Sequence, residues 1–315
     1  MAAFLSRTVD GVLKRGSRRA ALDQYWTTQD AAAFGVTTVG LSPGLPKSDG
    51  LDIWVPRLGF VTRVRAADGK VLEDWSGALN AFAALSAMGR VFVTGMTNPG
   101  KLYEIFPNQS VGAVTTVATN LGDSPEGIGF DGSRIWTANY GTASGSVSIV
   151  TPGAAPPWTV TTVTAGFIRP DGVVYDGANI WIADYSATAI SKVSSAGAIL
   201  QTVSLGSLST SPAFDGANLW VPGASPSQLS VVRASSGLVL ATLTGNGLNG
   251  PLQAAFDGQR VLVTNGNSTA VSVWKAADLT PIGSFSTSAS GSPQGACSDG
   301  LNFWITLSTG QLVRF

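Results

Sequence analysis

One short phrase governs what this chain can become. An Asp-Gly pair, followed three positions after the Gly by an apolar residue and then Trp, occurs five times. The copies are Asp49-Gly50…Ile53-Trp54, Asp131-Gly132…Ile135-Trp136, Asp176-Gly177…Ile180-Trp181, Asp215-Gly216…Leu219-Trp220 and Asp299-Gly300…Phe303-Trp304. A sixth copy carries Leu for Trp, at Asp257-Gly258…Val261-Leu262, and a degenerate seventh keeps only Gly89-Arg90-Val91-Phe92. The step between copies is about 42 residues. A period of that size signals stacked units, each too small to bury its apolar surface alone.

Each unit has the same internal plan. A short apolar strand such as 127–130 leads into the Asp-Gly turn, the strongest short-range hairpin signal. The Trp-bearing strand follows, then a third strand with apolar residues three apart, for example Val147/Val150 and Ile190/Val193. A Thr- and Val-rich fourth strand closes the unit, as at 158–163 and 198–203. Four strands per repeat and seven repeats predict an all-β, seven-bladed β-propeller of four-stranded antiparallel blades. The seventh unit stops at Phe315 after its third strand, whereas Val36-Thr37-Thr38-Val39 copies the fourth-strand sequences Val114-Thr115-Thr116-Val117 and Val160-Thr161-Thr162-Val163. The expectation is that residues 34–41 pair with residues 311–315 and close the ring, removing an edge that would invite intermolecular pairing.

Residues 34–315 resemble the bacterial YVTN/NHL-type β-propellers, whose repeats read approximately Phe-Asp-Gly-x-Asn-Ile-Trp-Val-Ala-Asn-x-Gly. The carriers of the resemblance are Phe130-Asp131-Gly132-Ser133-Arg134-Ile135-Trp136-Thr137-Ala138-Asn139-Tyr140-Gly141 and Tyr175-Asp176-Gly177-Ala178-Asn179-Ile180-Trp181-Ile182-Ala183-Asp184-Tyr185. It implies a streptogramin-lyase-like fold. It leaves function open, because the family includes lyases, lactonase-like enzymes, scaffolds and adhesion modules. Streptogramin lyases depend on a histidine with Mg²⁺, and this chain contains no His to match it.

The inventory of reactive groups narrows the chemistry further. Without His, and with Cys297 as the only cysteine, Ser-His-Asp and Cys-His catalysis, an internal disulfide and a multi-cysteine metal site are all excluded within the chain. The 19 cations balance the 19 acids, which argues against nucleic-acid binding, and only 12% of residues are charged. No apolar run reaches the length of a membrane span, and no signal-peptide core is evident, so a cytoplasmic or virion location is expected. The periodic Trp residues read as filler between blades, each needing an acceptor for its indole N–H, and the periodic Asp residues read as turn formers.

Candidate binding residues come from the end of the ring where innermost strands begin. A proline six residues before the turn Asp (Pro43, Pro125, Pro170, Pro251, Pro293) fixes the register, and the next position is Gly44, Glu126, Asp171, Leu252 or Gln294. Loops after the second strands add Asn139, Tyr140, Asp184 and Tyr185. The candidate ligand site is therefore Glu126, Asn139, Tyr140, Asp171, Asp184 and Tyr185. With Asp123, these acids form an oxygen-rich set of the kind Ca²⁺ or Mg²⁺ uses, although Arg169 lies nearby to neutralise them and no resident cofactor is expected.

Residues 1–33 lie outside the repeat. Phe4, Leu5, Val9 and Val12 recur at helical spacing, while Arg7, Lys14, Arg15, Arg18 and Arg19 make the segment basic. This reads as a partly helical amphipathic arm that docks on a protein partner. The combined expectation is a non-enzymatic propeller serving as a structural or binding module in a larger assembly, such as a bacteriophage virion. A glycan or host-surface ligand is a further expectation. The alternative is a metal-dependent, lactonase-like hydrolase or lyase with its site at the channel mouth.

Overall fold

The computed structural model describes residues 35–142, 144–287 and 290–315. The arm residues Phe4, Leu5, Arg7, Val9, Val12, Lys14, Arg15, Arg18 and Arg19 lie outside the described residues. The remainder forms seven antiparallel four-stranded sheets in a ring. Blade 1 comprises Lys47–Ser48, Asp52–Arg57, Gly59–Arg65 and Val71–Ala78; blade 2 comprises Ala81–Ala87, Arg90–Gly95, Gly100–Ile105 and Thr115–Leu121. Blade 3 runs Pro125–Phe130, Ile135–Asn139, Ser146–Thr151, Thr159–Val163, and blade 4 Pro170–Tyr175, Ile180–Asp184, Ala189–Val193, Ile199–Ser204. Blade 5 is Ala213–Phe214, Asn218–Gly223, Gln228–Arg233, Leu238–Leu243, and blade 6 is Pro251–Phe256, Arg260–Asn265, Ala270–Lys275, Pro281–Ser286. Blade 7 combines Pro293–Ser298, Phe303–Leu307 and Gln311–Arg314 with Val36–Thr38.

That last pairing closes the ring as the sequence predicts. Val36 faces Val313, Thr37 faces Leu312 and Thr38 faces Gln311. The amides of Val39 and Gly40 both donate to the Gly310 carbonyl, and Val39 is buried against Val64, Trp304 and Leu312. Thr37 also ties blade 7 to blade 1 through a 2.7 Å bond from its Oγ1 to the Gly69 carbonyl.

Why the Asp-Gly and Trp residues recur together is now plain. In each Asp-Gly-Trp copy one carboxylate oxygen accepts two backbone N–H bonds of the turn, and the other accepts the indole N–H of the Trp five residues on. At blade 4 these are Ala178 N, Asn179 N and Trp181 Nε1, at 2.8, 2.6 and 2.8 Å. The indole bond is 2.7–2.8 Å in blades 1, 3, 5 and 7 as well. The five Trp side chains are at most 1% exposed, so the aspartate is what lets so large a donor be buried. Blade 6, with Leu262, gives the Asp257 oxygen to Arg260 Nε instead. Blade 2 lacks the Asp and turns through Met88-Gly89, both at positive φ, the combination a two-residue type I′ hairpin requires.

Seven apolar clusters each lie between consecutive blades rather than within one. Near the axis the blades touch through backbone. Leu45 N donates to Phe82 O, and Ala84 N to Leu45 O; Ser211 N donates to Leu252 O, and Ala254 N to Ser211 O. Thr264 and Thr306 hydroxyls donate to the Gln294 and Gly44 carbonyls of the next blade. A β-carbon on Gly127 or Gly172 would collide with the neighbouring innermost strand, which is why those two positions carry glycine. Among the described residues no helix is long and apolar enough to cross a membrane.

Candidate functional site

The mouth of the channel is the end where innermost strands start and second strands finish. Pro125 pairs with Asn139 and Pro170 with Asp184, and in both blades the register shifts before Gly127 or Gly172. Glu126 and Asp171 are therefore bulged residues. A bulge re-aims its extra side chain, and here it sets two carboxyls on adjacent innermost strands. Asp171 accepts a 3.1 Å bond from Ser211 Oγ of the next blade. Ser211 escaped the sequence reading because blade 5 lacks the proline that sets the register elsewhere; its signal is the Ser-Pro pair at 211–212.

Both carboxyls sit half-buried in the mouth. Desolvation and the charge of Asp171 push Glu126 well above the ordinary carboxylate range. Desolvation also raises Asp171; the Ser211 bond opposes this, and the charge of Asp184 adds to it. The pair consequently holds a proton that an exposed pair would release, and neutral carboxyls can donate as well as accept hydrogen bonds.

Two sequence-selected residues do a different task. Asp184 is 1% exposed, and its oxygens accept N–H bonds from Ile168, Arg169 and Ala187 at 2.7, 3.0 and 3.0 Å. It ties the blade 3–4 crossover to the loop after its own strand. Asn139 is fully buried, donating to Ser146 and Ser148 hydroxyls and accepting from Thr137. Asn265 repeats the arrangement in blade 6, bonding Ala270 O, Ser272 Oγ and Asn249 N. Asp123 is likewise occupied: burial works against its charge, but bonds from Ser124 and Thr142 hold it below the usual range.

The tyrosines do reach the mouth. Tyr140 and Tyr185 are half-buried, their ring centroids 5.7 Å apart at 59°, and the Arg169 guanidinium lies 5.3 Å from the Tyr140 centroid. Burial, Tyr140 and Asp171 raise the Tyr185 hydroxyl, and Arg169 opposes them. Blades 3 and 4 thus present two aromatic rings, one guanidinium and a carboxyl pair that holds a proton. That set can stack on a flat ligand and hydrogen-bond its hydroxyls or amides.

The residues do not fit a Ca²⁺ or Mg²⁺ centre. Such ions take six or more oxygens, whereas Asp184, Asp123 and Asn139 already direct theirs at internal donors. Among the described residues no three carboxylates or thiols gather in metal-binding proximity.

The proton-holding pair has a measurable consequence. Folding raises these proton affinities, so the pair's stabilising contribution is whole below the ordinary carboxylate pKa. It is lost as pH climbs through the raised values. Glu126→Gln should flatten that decline, making the variant more stable than the parent at alkaline pH by on the order of 2 kcal/mol. Urea unfolding from pH 5 to pH 9 checks it; parallel curves would show that the pair ionises normally.

No protein-family profile matches the chain, and no curated protein sequence does. Solved structures do. A streptogramin B lyase superposes with a TM-score of 0.71 at 14% identity, covering 89% of this chain and 97% of the other. A catalytically inactive variant of virginiamycin B lyase from Staphylococcus aureus, solved with quinupristin, gives 0.71 at 15%, covering 89% and 98%. The WD40 propeller domain of Doa1 gives 0.70 at 12%, covering 89% and 96%. Identities this low speak of architecture alone: the chain is a seven-bladed β-propeller, built on the same plan as the streptogramin lyases and the WD40 propellers.

Proposed function

We propose that this propeller is a non-enzymatic binding and structural module of a larger assembly. Its ligand-facing patch is the mouth of blades 3 and 4, and residues 1–33 are its docking arm. One observation carries the reading: Asn139, Asp184 and Asn265 are consumed by internal bonds, whereas Tyr140, Tyr185 and Arg169 gather as a half-buried aromatic and guanidinium set near the Glu126–Asp171 pair. Stacking rings beside a carboxyl pair suit recognition of a glycan. A virion is the assembly we favour, on the profile of sparse charge and Gly-, Ser- and Thr-rich loops. In a glycan array the parent should retain ligands that Tyr140→Ala and Tyr185→Ala lose by tenfold or more. Mass measurement in solution should show association that disappears when residues 1–33 are removed. A chain that is monomeric with or without them, and blank on the array, would overturn the proposal.

A hydrolase or lyase remains the second reading because a proton-holding carboxyl pair is also acid–base machinery. It needs turnover of a substrate that Glu126→Gln abolishes while leaving binding intact.

A further inference from the structure

The opposite end of the channel, where the Asp-Gly turns lie, has a composition of its own. The residue directly before the turn Asp is Phe130, Tyr175, Phe214 and Phe256 in blades 3 to 6. All four line one axial cavity of about 530 Å³, and all four are half-buried. Each leans on the apolar cluster between its blade and a neighbour and offers its remaining surface to the cavity. The Tyr175 hydroxyl donates to the Gly177 carbonyl at 2.8 Å, so its polar end is directed at the turn and its ring is left for the channel. Across the axis, blades 7, 1 and 2 present Ser298, Lys47 and Ser86. The wall is thus an aromatic arc on one side and, on the other, two serines and a single cation set among apolar residues such as Leu45, Pro46 and Leu85.

The charges around this opening are unequal in availability. Asp49 and Asp299 flank Lys47, but their oxygens already accept two turn amides and one indole each. Lys47 is exposed and makes no ion pair among the described residues. A ligand here would find one unengaged positive charge, with the nearby negative charges already bonded. Cys297 also lines the cavity, but burial pushes its thiol up to about 12, so the wall offers no thiolate chemistry.

We propose that the turn end of the channel binds a small amphipathic anion, a planar aromatic carboxylate, with its ring against the Phe130–Tyr175–Phe214–Phe256 arc and its carboxylate toward Lys47. The cavity lies within the usual range for small-molecule sites, about 300–1,000 Å³, and has their make-up of apolar walls with a few placed polar groups. The cavity reaches Ser211, which bonds Asp171 of the mouth, but the aromatic arc and Lys47 share no residue with the tyrosines and Arg169 there, so either set can fail without the other.

The test is calorimetric titration of the full chain with 2-naphthoate, 2-naphthalenemethanol and 2-naphthylmethylamine, which share one ring system and differ in charge. Naphthoate should bind one-to-one, at least about tenfold tighter than the amine. Lys47→Gln, on an exposed side chain, should weaken naphthoate about tenfold and leave the alcohol unchanged. Ser86→Trp, which fills the bore, should abolish binding of all three while circular dichroism stays that of the parent. The proposal is overturned by no saturable binding at millimolar ligand, by equal affinity for amine and carboxylate, by a Lys47→Gln variant that binds naphthoate as the parent does, or by binding that survives Ser86→Trp.

Discussion

A chain beginning at Leu41 should lose about 5 kcal/mol of stability relative to one beginning at Gly35, and should self-associate. The truncation removes the three residues paired with Gln311–Arg314 and the two amides on Gly310. Net hydrogen bonds are worth about 1 kcal/mol each. Burial of Val39 adds about 1.5–3 kcal/mol. Total stability for a domain is about 5–15 kcal/mol, so the loss is a large share of it. The exposed edge of Gln311–Arg314 would then pair with whatever strand it meets, including another copy. Urea unfolding and sedimentation of the two truncations check this. A Leu41 chain that stays monomeric and unfolds within about 1 kcal/mol of the Gly35 chain would show that the strand is decorative. A synthetic peptide spanning residues 35–41 should restore both properties when added back.

Asp176→Asn should cost about 2 kcal/mol although it changes one atom of the side chain. The amide oxygen still accepts the Ala178 and Asn179 amides, but its NH₂ group now confronts the indole N–H of Trp181. Two donors facing each other in a dry interface leave one unsatisfied. Trp181→Phe removes the indole donor, so in that background Asp176→Asn should cost almost nothing further. The coupling in this double-mutant cycle should therefore be about 2 kcal/mol. Additive effects would mean that the Asp shapes the turn and nothing else.

These two devices were legible in the sequence to different depths. Ring closure was readable because Val36-Thr37-Thr38-Val39 copies other fourth strands, and a seventh unit without its own has one place to find a partner. The recurrence of Asp and of Trp was readable too, as turn former and filler. Their joining by a bond across five residues was not, since spacing alone does not show that a hairpin twists the indole edge back over its own turn. The positions of the mouth residues were legible only in part. Glu126, Asp171, Tyr140 and Tyr185 do reach it, but Asn139 and Asp184 are drawn inward as bracing for the loops beside them. At a strand end one step of alternation decides between those outcomes, and the bulges at Glu126 and Asp171 shift that step. Blade 5 was hard to read because Ser209 stands where five other blades carry the register-setting proline, and its innermost strand shrinks to Ala213–Phe214.

Blade 7 has a consequence for how the molecule is made. Val36–Thr38 leaves the ribosome ahead of every other described strand, yet its partner Gln311–Arg314 emerges about 270 residues later. At the roughly 5–20 residues per second of synthesis, the earliest strand waits well over ten seconds for its place. Six sectors can assemble meanwhile, each leaning on the one before, and the ring stays a horseshoe until the final hairpin arrives. The nascent chain therefore carries two unsealed rims throughout its synthesis, and a clasp that snaps shut last guards the maker against the longest-lived of its hazards.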